Sequence, residues 1–457
     1  MVTKNLFSGS FMDMLDTKDP LIVLADNFPW SKVESEFQKY YKNDKIGRPN
    51  KPIRLMVGLL LLKQIKNLSD ERIVEEWKQN PYLQYFCGFT EYTPSLPCHA
   101  TELVKFRNRI GKDGLEFVFK CSVDIHGDEA KESQVIVDST VQESNMTFPT
   151  DGKLAIKIVA KLLKIAKKEK IKLRRSFIKE IKTLRIDLRF FKHPKKIKKA
   201  MGSMKRLRQI AMIILRDIDR KFDDNLELHS KYAQSFYLFN RVLKQERNTP
   251  NKIYSLHEID AYAINKGKDH KGYEFGTKAS IVTTMTSSII VGVAAHKTNI
   301  HDSKTLDEVM TNTVKIVGDK IITEAICDRG YRGTKEILVN DNSIEISIPD
   351  TKRKKDTKNE INIKRKKFKR RAAIEPIIGH VKSDHRMAIN YLKGFKGDEI
   401  NLLLAATAFN LKKWMNNYLY AFFIRDFTLI SISIKEIIRL ISLYQLLLII
   451  KFKLELK

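Results

Sequence analysis

Gln134-Val135-Ile136-Val137-Asp138-Ser139-Thr140 marks the point where the chain changes character. Three consecutive β-branched residues have no 3.6-residue period, and they predict a buried strand that ends in Asp138. Everything before it reads as helix. Apolar residues crowd Ile53 to Ile65, predicting a largely buried helix. The turn Asn67-Leu68-Ser69 follows, with Ser69 as N-cap and Asp70 and Glu71 in the next first turn. That helix stops before Asn80-Pro81, and another runs from Ala100 to Ile110, ended by Gly111. Lys105 and Arg109, four apart, share its face. Helices around a short turn allow either a helix-turn-helix-like DNA module or a helical oligomerisation domain.

Helical pattern returns over roughly 151–247, interrupted at His193-Pro194. Strand signals resume at Gly276 to Thr284 and Ser288 to Ala295, which read as a hairpin. A helix from Asp302 to Ile316, capped by Asp302 or Ser303, precedes a strand from Ile321 to Cys327 that ends in Asp328. A short helix, a strand at Ile344 to Ile348, a basic loop and a helix from Ala372 to Leu392 complete the order. This is a mixed α/β domain interrupted after its first strand. The expected boundaries are a helical N-terminal domain at 1–125, an α/β domain at 130–150 and 251–416, a basic helical insertion at 151–250, and an apolar tail at 417–457.

The charge is concentrated. The 457 residues hold 84 Lys and Arg against 54 Asp and Glu, net +30. Segment 151–250 alone carries 29 cations and 10 acids, and Thr351 to Arg371 carries 12 and 2, so the remainder is nearly neutral. Clustered charge of this size answers to a polyanion, the plainer alternative being a solvated surface. A hydrophobic share of 43% excludes wholesale disorder. The four cysteines lack metal-ligand spacing, which argues against zinc, and their scarcity fits a reducing cytoplasm. The N-terminus carries no signal-peptide pattern. The apolar stretch 419–450 is interrupted by Arg425, Asp426, Lys435, Glu436 and Arg439, short of the ~18 uncharged residues of a spanning helix. No membrane partner is expected.

Asp138 and Asp328 both end apolar strands. Open α/β sheets bind ligands outside the carboxyl ends of their strands. Adjacent strands lie about 4.8 Å apart, so two such carboxylates can share one hard divalent cation. Either alone would be an ordinary strand-end aspartate. Glu375 is a third candidate. Arg371, Glu375 and Lys382 are spaced four and seven apart, which on one helix puts them on one face, although Pro376 places Glu375 at a helix start. Two metals in such a cluster suit in-line displacement at phosphorus. His301, beside Asp302, could approach this site; a structural histidine is its plainer reading. Trp77 and Trp414 read as core.

At these residues the chain resembles the DDE-class transposases of bacterial insertion sequences, in the group named after insertion sequence five. Val137-Asp138-Ser139-Thr140, Asp328-Arg329-Gly330-Tyr331-Arg332-Gly333 and Ala373-Ile374-Glu375-Pro376 are similar to the three catalytic stretches. Gly47-Arg48-Pro49, Leu68-Ser69-Asp70-Glu71 and Gln84-Tyr85-Phe86-Cys87-Gly88 are similar to the N-terminal helical region. The likeness covers about residues 15 to 416. It implies a ribonuclease-H-like catalytic fold, with Asp138, Asp328 and Glu375 as both the catalytic and the metal-binding triad. The implied cofactor is two Mg2+ ions, with Mn2+ as substitute. It implies that Arg371 and Lys382 hold DNA. Lys105, Arg109, Arg329 and Arg332 are further candidate DNA contacts on their charge and position. The family's signature tyrosine is Phe368 here, a departure that removes a hydroxyl.

The implied activity is binding of terminal inverted repeats, cleavage at the element ends and joining of the 3′-OH to target DNA. That calls for a homodimer or larger assembly on DNA, in the bacterial cytoplasm at the nucleoid. The competing readings are a catalytically inactive DNA-binding remnant and a ribonuclease-H-like nuclease.

Overall fold

The computed structural model describes residues 11–41, 49–223, 225–268, 271–349, 357–422 and 424. Eight strands form one mixed sheet: β1 Gln134–Ser144, β2 Tyr262–Lys268, β3 Lys271–Thr284, β4 Ile290–His296, β5 Glu324–Ile326, β6 Glu336–Val339, β7 Asn342–Ser347 and β8 Ile389–Asn390. β3 pairs antiparallel with β1 along one edge and with β2 and β4 along the other. On its opposite side β1 pairs in parallel with β5, β5 pairs in parallel with β7, and β6 closes the sheet. The sheet is therefore antiparallel on one side of β1 and parallel on the other.

β1 is longer than its apolar core predicts. Asp138 lies in mid-strand, because β3 pairs with β1 from Val135 to Glu143 and carries it past the aspartate. The parallel ladder to β5 ends at Ile136↔Ile326, and β8 joins only at Glu143. In between, that edge of β1 has no strand partner, and there Asp138 sits. β5 is shorter than the expected 321–327 strand, and Asp328 follows it as the cap of a 3-10 turn Arg329–Tyr331.

Several local expectations hold. Ile53–Ile65 is a helix with Leu59 to Leu62 buried, and the Ser69 hydroxyl accepts from the Arg72 N–H to start helix Asp70–Gln79. Gly111 ends the regular helix at φ +61, but helix resumes at once and continues to Asp124. Other expectations need correction. The cap after β4 is His301, whose ring accepts from the Ser303 N–H, ahead of a 3-10 turn and helix Leu306–Val317. β6 escapes notice because its two-residue turn to β7 is Asn340-Asp341, at φ +47 and +60, with no glycine to announce it. The basic stretch before Glu375 is mostly helix, Lys358–Arg371, started by a Thr357–Glu360 capping box; 351–356 lie outside the described residues. The helix expected over 372–392 ends at Asp384, and β8 follows.

One hydrophobic cluster runs from Leu24 through the N-terminal helices and the sheet to Met415 on the final helix, residues 394–422. Trp77 is fully buried within it and Trp414 packs at its margin. A second cluster belongs to the insertion. There helices Asp151–Lys168, Ile197–Phe222 and Leu226–Lys244 bury Leu162, Leu207, Ile214 and Phe239 against one another. The apolar tail beyond 424 lies outside the described residues.

Two buried polar arrangements fix the first cluster. Asp70 accepts from Lys63 Nζ at 2.8 Å and from both terminal nitrogens of Arg107 at 2.8 and 2.6 Å. Burial alone would push its carboxyl up, but Arg107 and Lys63 outweigh burial and hold it at about 2. Burial, followed by the Arg107 charge, brings the Lys63 ammonium down to about 8. The other arrangement is a relay. Gln64 donates to Asn401 and to the His385 carbonyl, Asn401 donates to Gln142, and Gln142 donates to Asp398. Thr277 and Asn390 donate to the two Asp398 oxygens. This relay joins the N-terminal helices to β1, β3 and β8.

Candidate active site

The parallel register aligns the two aspartates. Gln134, Val135 and Ile136 stand beside Glu324, Ala325 and Ile326, so two residues further on Asp138 falls beside Asp328. Each carboxylate is anchored by a neighbouring backbone N–H, Asp138 within β1 and Asp328 at its turn. The Ser139 N–H donates to Asp138 Oδ1 at 2.7 Å, and the Gly330 N–H donates to Asp328 Oδ1 at 2.8 Å. Both Oδ2 atoms then face one guanidinium nitrogen: Arg371 Nη2 donates to Asp138 Oδ2 at 3.0 Å and lies 3.9 Å from Asp328 Oδ2. The Asp138 and Arg371 side chains are mostly covered, at 17% and 16% exposure, while Asp328 is 40% exposed.

Glu375 is placed differently. Hydrogen bonding tightens to i→i−3 through Ala372 and Ala373, and Glu375 is the second residue of helix Ile374–Asp384, exposed at its start. Pro376 sits in that first turn, where its missing N–H is tolerated. Arg371 therefore ends one helix and Glu375 begins the next, with Ala372 and Ala373 between them in helical torsions and i→i−3 hydrogen bonds. Glu375 and half-buried Lys382 do share a helix. Among the described residues no three His, Cys, Asp or Glu side chains lie close enough to hold one metal ion.

The remaining sequence-predicted cations divide. Arg329 and Arg332 are exposed on the turn after Asp328. Lys105 and Arg109 lie elsewhere, on helix Ala100–Asp124, lining a cleft of about 220 Å³ with Tyr41, Lys51 and Phe106. Helix Asp70–Gln79, which follows the short turn, carries four acids against two bases, with Asp70 turned inward to Arg107. Not all of the basic segment faces out. Lys367 pairs with Glu324 and Ser347, and Arg370 donates to the carbonyls of Met285 and Thr286.

Sequence reasoning missed Asp302 and Lys278. Asp302 Oδ1 accepts from Ser139 Oγ at 2.8 Å and from Lys278 Nζ at 3.0 Å. The overlooked signal was a lysine as the one charged residue of the expected strand 276–284, which requires a counter-charge if buried. His385 is buried with its ring on the Gln64 carbonyl, His301 caps the 3-10 turn Asp302–Thr305, His99 caps helix Ala100–Asp124, and His380 pairs with Asp384.

Two family matches bracket this geometry. Residues 9–109 match the family described as transposase domain (DUF772), and residues 252–411 match the transposase DDE domain. The chain belongs to the DDE-class insertion-sequence transposases. The chain is also similar to a Rhizobium meliloti protein, the uncharacterized protein ORF8 in nfe locus. The two are 37% identical over 194 residues, 41% of this chain and 93% of that one. No solved structure matches. The family implies DNA as substrate, a ribonuclease-H-like fold for the DDE domain and the use of divalent metal ions. The mixed sheet accords with such a fold. Among the described residues no helix is long and apolar enough to cross a membrane.

Two aspartate oxygens turned to one cation are a suitable donor set for a hard divalent metal, which takes oxygen ligands. The guanidinium of Arg371 marks where positive charge is held.

Proposed function

We propose that this transposase cleaves DNA at the ends of its element and joins the freed 3′-OH to target DNA, with Asp138, Asp328 and Glu375 as its catalytic carboxylates. The observation that carries this reading is the convergence of Asp138 Oδ2 and Asp328 Oδ2 on Arg371 Nη2. Asp138, Asp328 and Glu375 would hold Mg2+, or Mn2+ in its place. Such ions activate an attacking oxygen and stabilise a leaving one. The protein's own part is positioning. The Ser139 and Gly330 N–H groups lock one oxygen of each aspartate, so the other oxygen stays aimed at the cation site. Glu375, at the start of the helix Ile374–Asp384 that packs against β1, would complete the set.

Arg371, Arg329 and Arg332 lie on or beside this site and would hold phosphates near the cut, with Lys382 on the following helix. Lys105 and Arg109 would contact DNA from the N-terminal helices. The insertion at 151–250 would grip DNA through its cations, and the assembly would be at least a dimer, since two element ends must meet. In this reading 1–125 helps to read the inverted repeats, and 130–150 with 251–416 performs the chemistry at the nucleoid.

The test is a strand-transfer assay with Mg2+ on the purified full chain and end-sequence DNA. Cleavage and joining by the parent, both lost in Asp138→Ala, support the reading. The second reading is a DNA-binding protein without chemistry. It is favoured by the exposure of Glu375 and by Phe368 in place of tyrosine. End binding without metal-dependent nicking would select it, and cleavage without joining would point to a nuclease.

A further inference from the structure

Asp302 touches Ser139 beside Asp138 and the turn that follows Asp328, without belonging to the proposed triad. Its Oδ1 accepts from Ser139 Oγ, and the Ser139 N–H in turn holds Asp138. Its Oδ2 lies against Gly330, whose N–H holds Asp328. A Cβ at Gly330 would come within 3.2 Å of Asp302 Oδ2 and 2.9 Å of Asp328 Oδ1. Asp302 is itself fixed to the sheet, since Lys278 Nζ donates to its Oδ1 at 3.0 Å and to the Ile300 carbonyl at 2.6 Å. Lys278 is buried on β3, directly opposite Val141 of β1.

We propose that Asp302 is a positioning residue that, through Ser139 on one side and Gly330 on the other, sets the separation of Asp138 and Asp328 at which they hold a cation. This rests on the triad reading above. Asp302 acts through its neighbours: one oxygen takes two donors, and the other packs against backbone. Hydrogen-bonding partners of metal ligands fix ligand orientation, and their loss typically weakens metal binding about 10- to 100-fold. Asp302 stands one step beyond such partners and touches both of them. The alternative is that Asp302 merely anchors the start of the 302–305 turn.

Mn2+ binding to the full chain, followed by the spin-resonance signal of free Mn2+, separates these. Asp302→Ala and Ser139→Ala should each raise the Mn2+ dissociation constant about 10-fold or more. The two together should do little more than the larger single effect, because they act along one path. Asp302→Ala leaves Lys278 buried without its counter-charge, so Asp302→Ala combined with Lys278→Met is measured as well. That variant should recover the parent's melting temperature and keep the weakened Mn2+ affinity. Recovery of both, or Mn2+ binding by Asp302→Ala as tight as the parent's, overturns the proposal alone. A parent that binds no Mn2+ overturns the triad reading and this proposal with it.

Discussion

Arg371 Nη2 donates to Asp138 Oδ2 at 3.0 Å, bringing the last residue of one basic helix onto the middle of the central strand. A guanidinium this close to two carboxylates neutralises them, so Arg371 and a divalent cation answer the same charge. Arg371→Ala should therefore bind Mn2+ at least as tightly as the parent while losing DNA cleavage by about 10-fold or more, as expected for a lost phosphate contact. Parallel Mn2+ titration and end-cleavage rates check this. Weaker Mn2+ binding in Arg371→Ala would mean that the arginine supports the carboxylates instead of competing for them.

Gly330→Ala places a methyl group against Asp328 Oδ1 and Asp302 Oδ2. Gly330 is half-exposed and the atoms met are side-chain oxygens, so global stability should change by less than about 1 kcal/mol while cleavage falls about 10-fold or more. Thermal melting and a cleavage time course on the same preparation read both. Parental cleavage would show that the turn has room to relax.

The Asp70 ion group predicts a large stability effect far from the chemistry. Asp70→Ala leaves Lys63 and Arg107 buried without their carboxylate, a loss of about 3–5 kcal/mol. Because Asp70 is held at about 2, below its ordinary value, its stabilisation is complete above about pH 4 and is lost as pH falls through 2. Denaturant unfolding of parent and variant at pH 7 checks the magnitude, and a difference under 1 kcal/mol would contradict it.

Asp398 has the opposite sign. Burial pushes its carboxyl up to about 6, although Thr277 and Asn390 donate to it. A raised acid favours the fold while protonated. Its contribution is therefore present below about pH 4 and fades as pH rises through 6. Asp398→Asn keeps the shape and removes the charge, so it should raise the melting temperature at pH 8 more than at pH 4.5. Equal shifts at the two pH values would contradict this.

The insertion's cations are tested by salt. Lys192, Lys195, Lys196 and Lys198 are exposed between helices Ile178–Asp187 and Ile197–Phe222 or at the start of the latter. If all four contact phosphates, replacing them with serine should lower the slope of log affinity against log salt by about 3–4. An unchanged slope returns them to solvated surface charge.

The sequence made the strands legible where one residue type decided them, as in Val135-Ile136-Val137 and the β3–β4 hairpin. It also identified Asp138 and Asp328 as a pair, because an apolar run followed by aspartate recurs. It did not show that β1 continues past Asp138, since only pairing with β3 reveals that. Nor did it show that hydrogen bonding tightens to i→i−3 between Arg371 and Glu375, since Ala372 and Ala373 are good helix formers. Asp302 and Lys278 were missed because their ion pair joins residues 24 apart across the sheet. The contacts of half-buried Lys367 with Glu324, and of Arg370 with the Met285 carbonyl, were hidden within a run whose composition reads as solvated charge.

The most direct test of the central claim is strand transfer of end-sequence DNA with Mg2+, comparing the parent with Asp138→Ala at matched DNA binding. The parent should cut and join, and Asp138→Ala should bind the ends while losing both steps by about a thousandfold or more. Joining by Asp138→Ala at the parent's rate would contradict the assignment of the site.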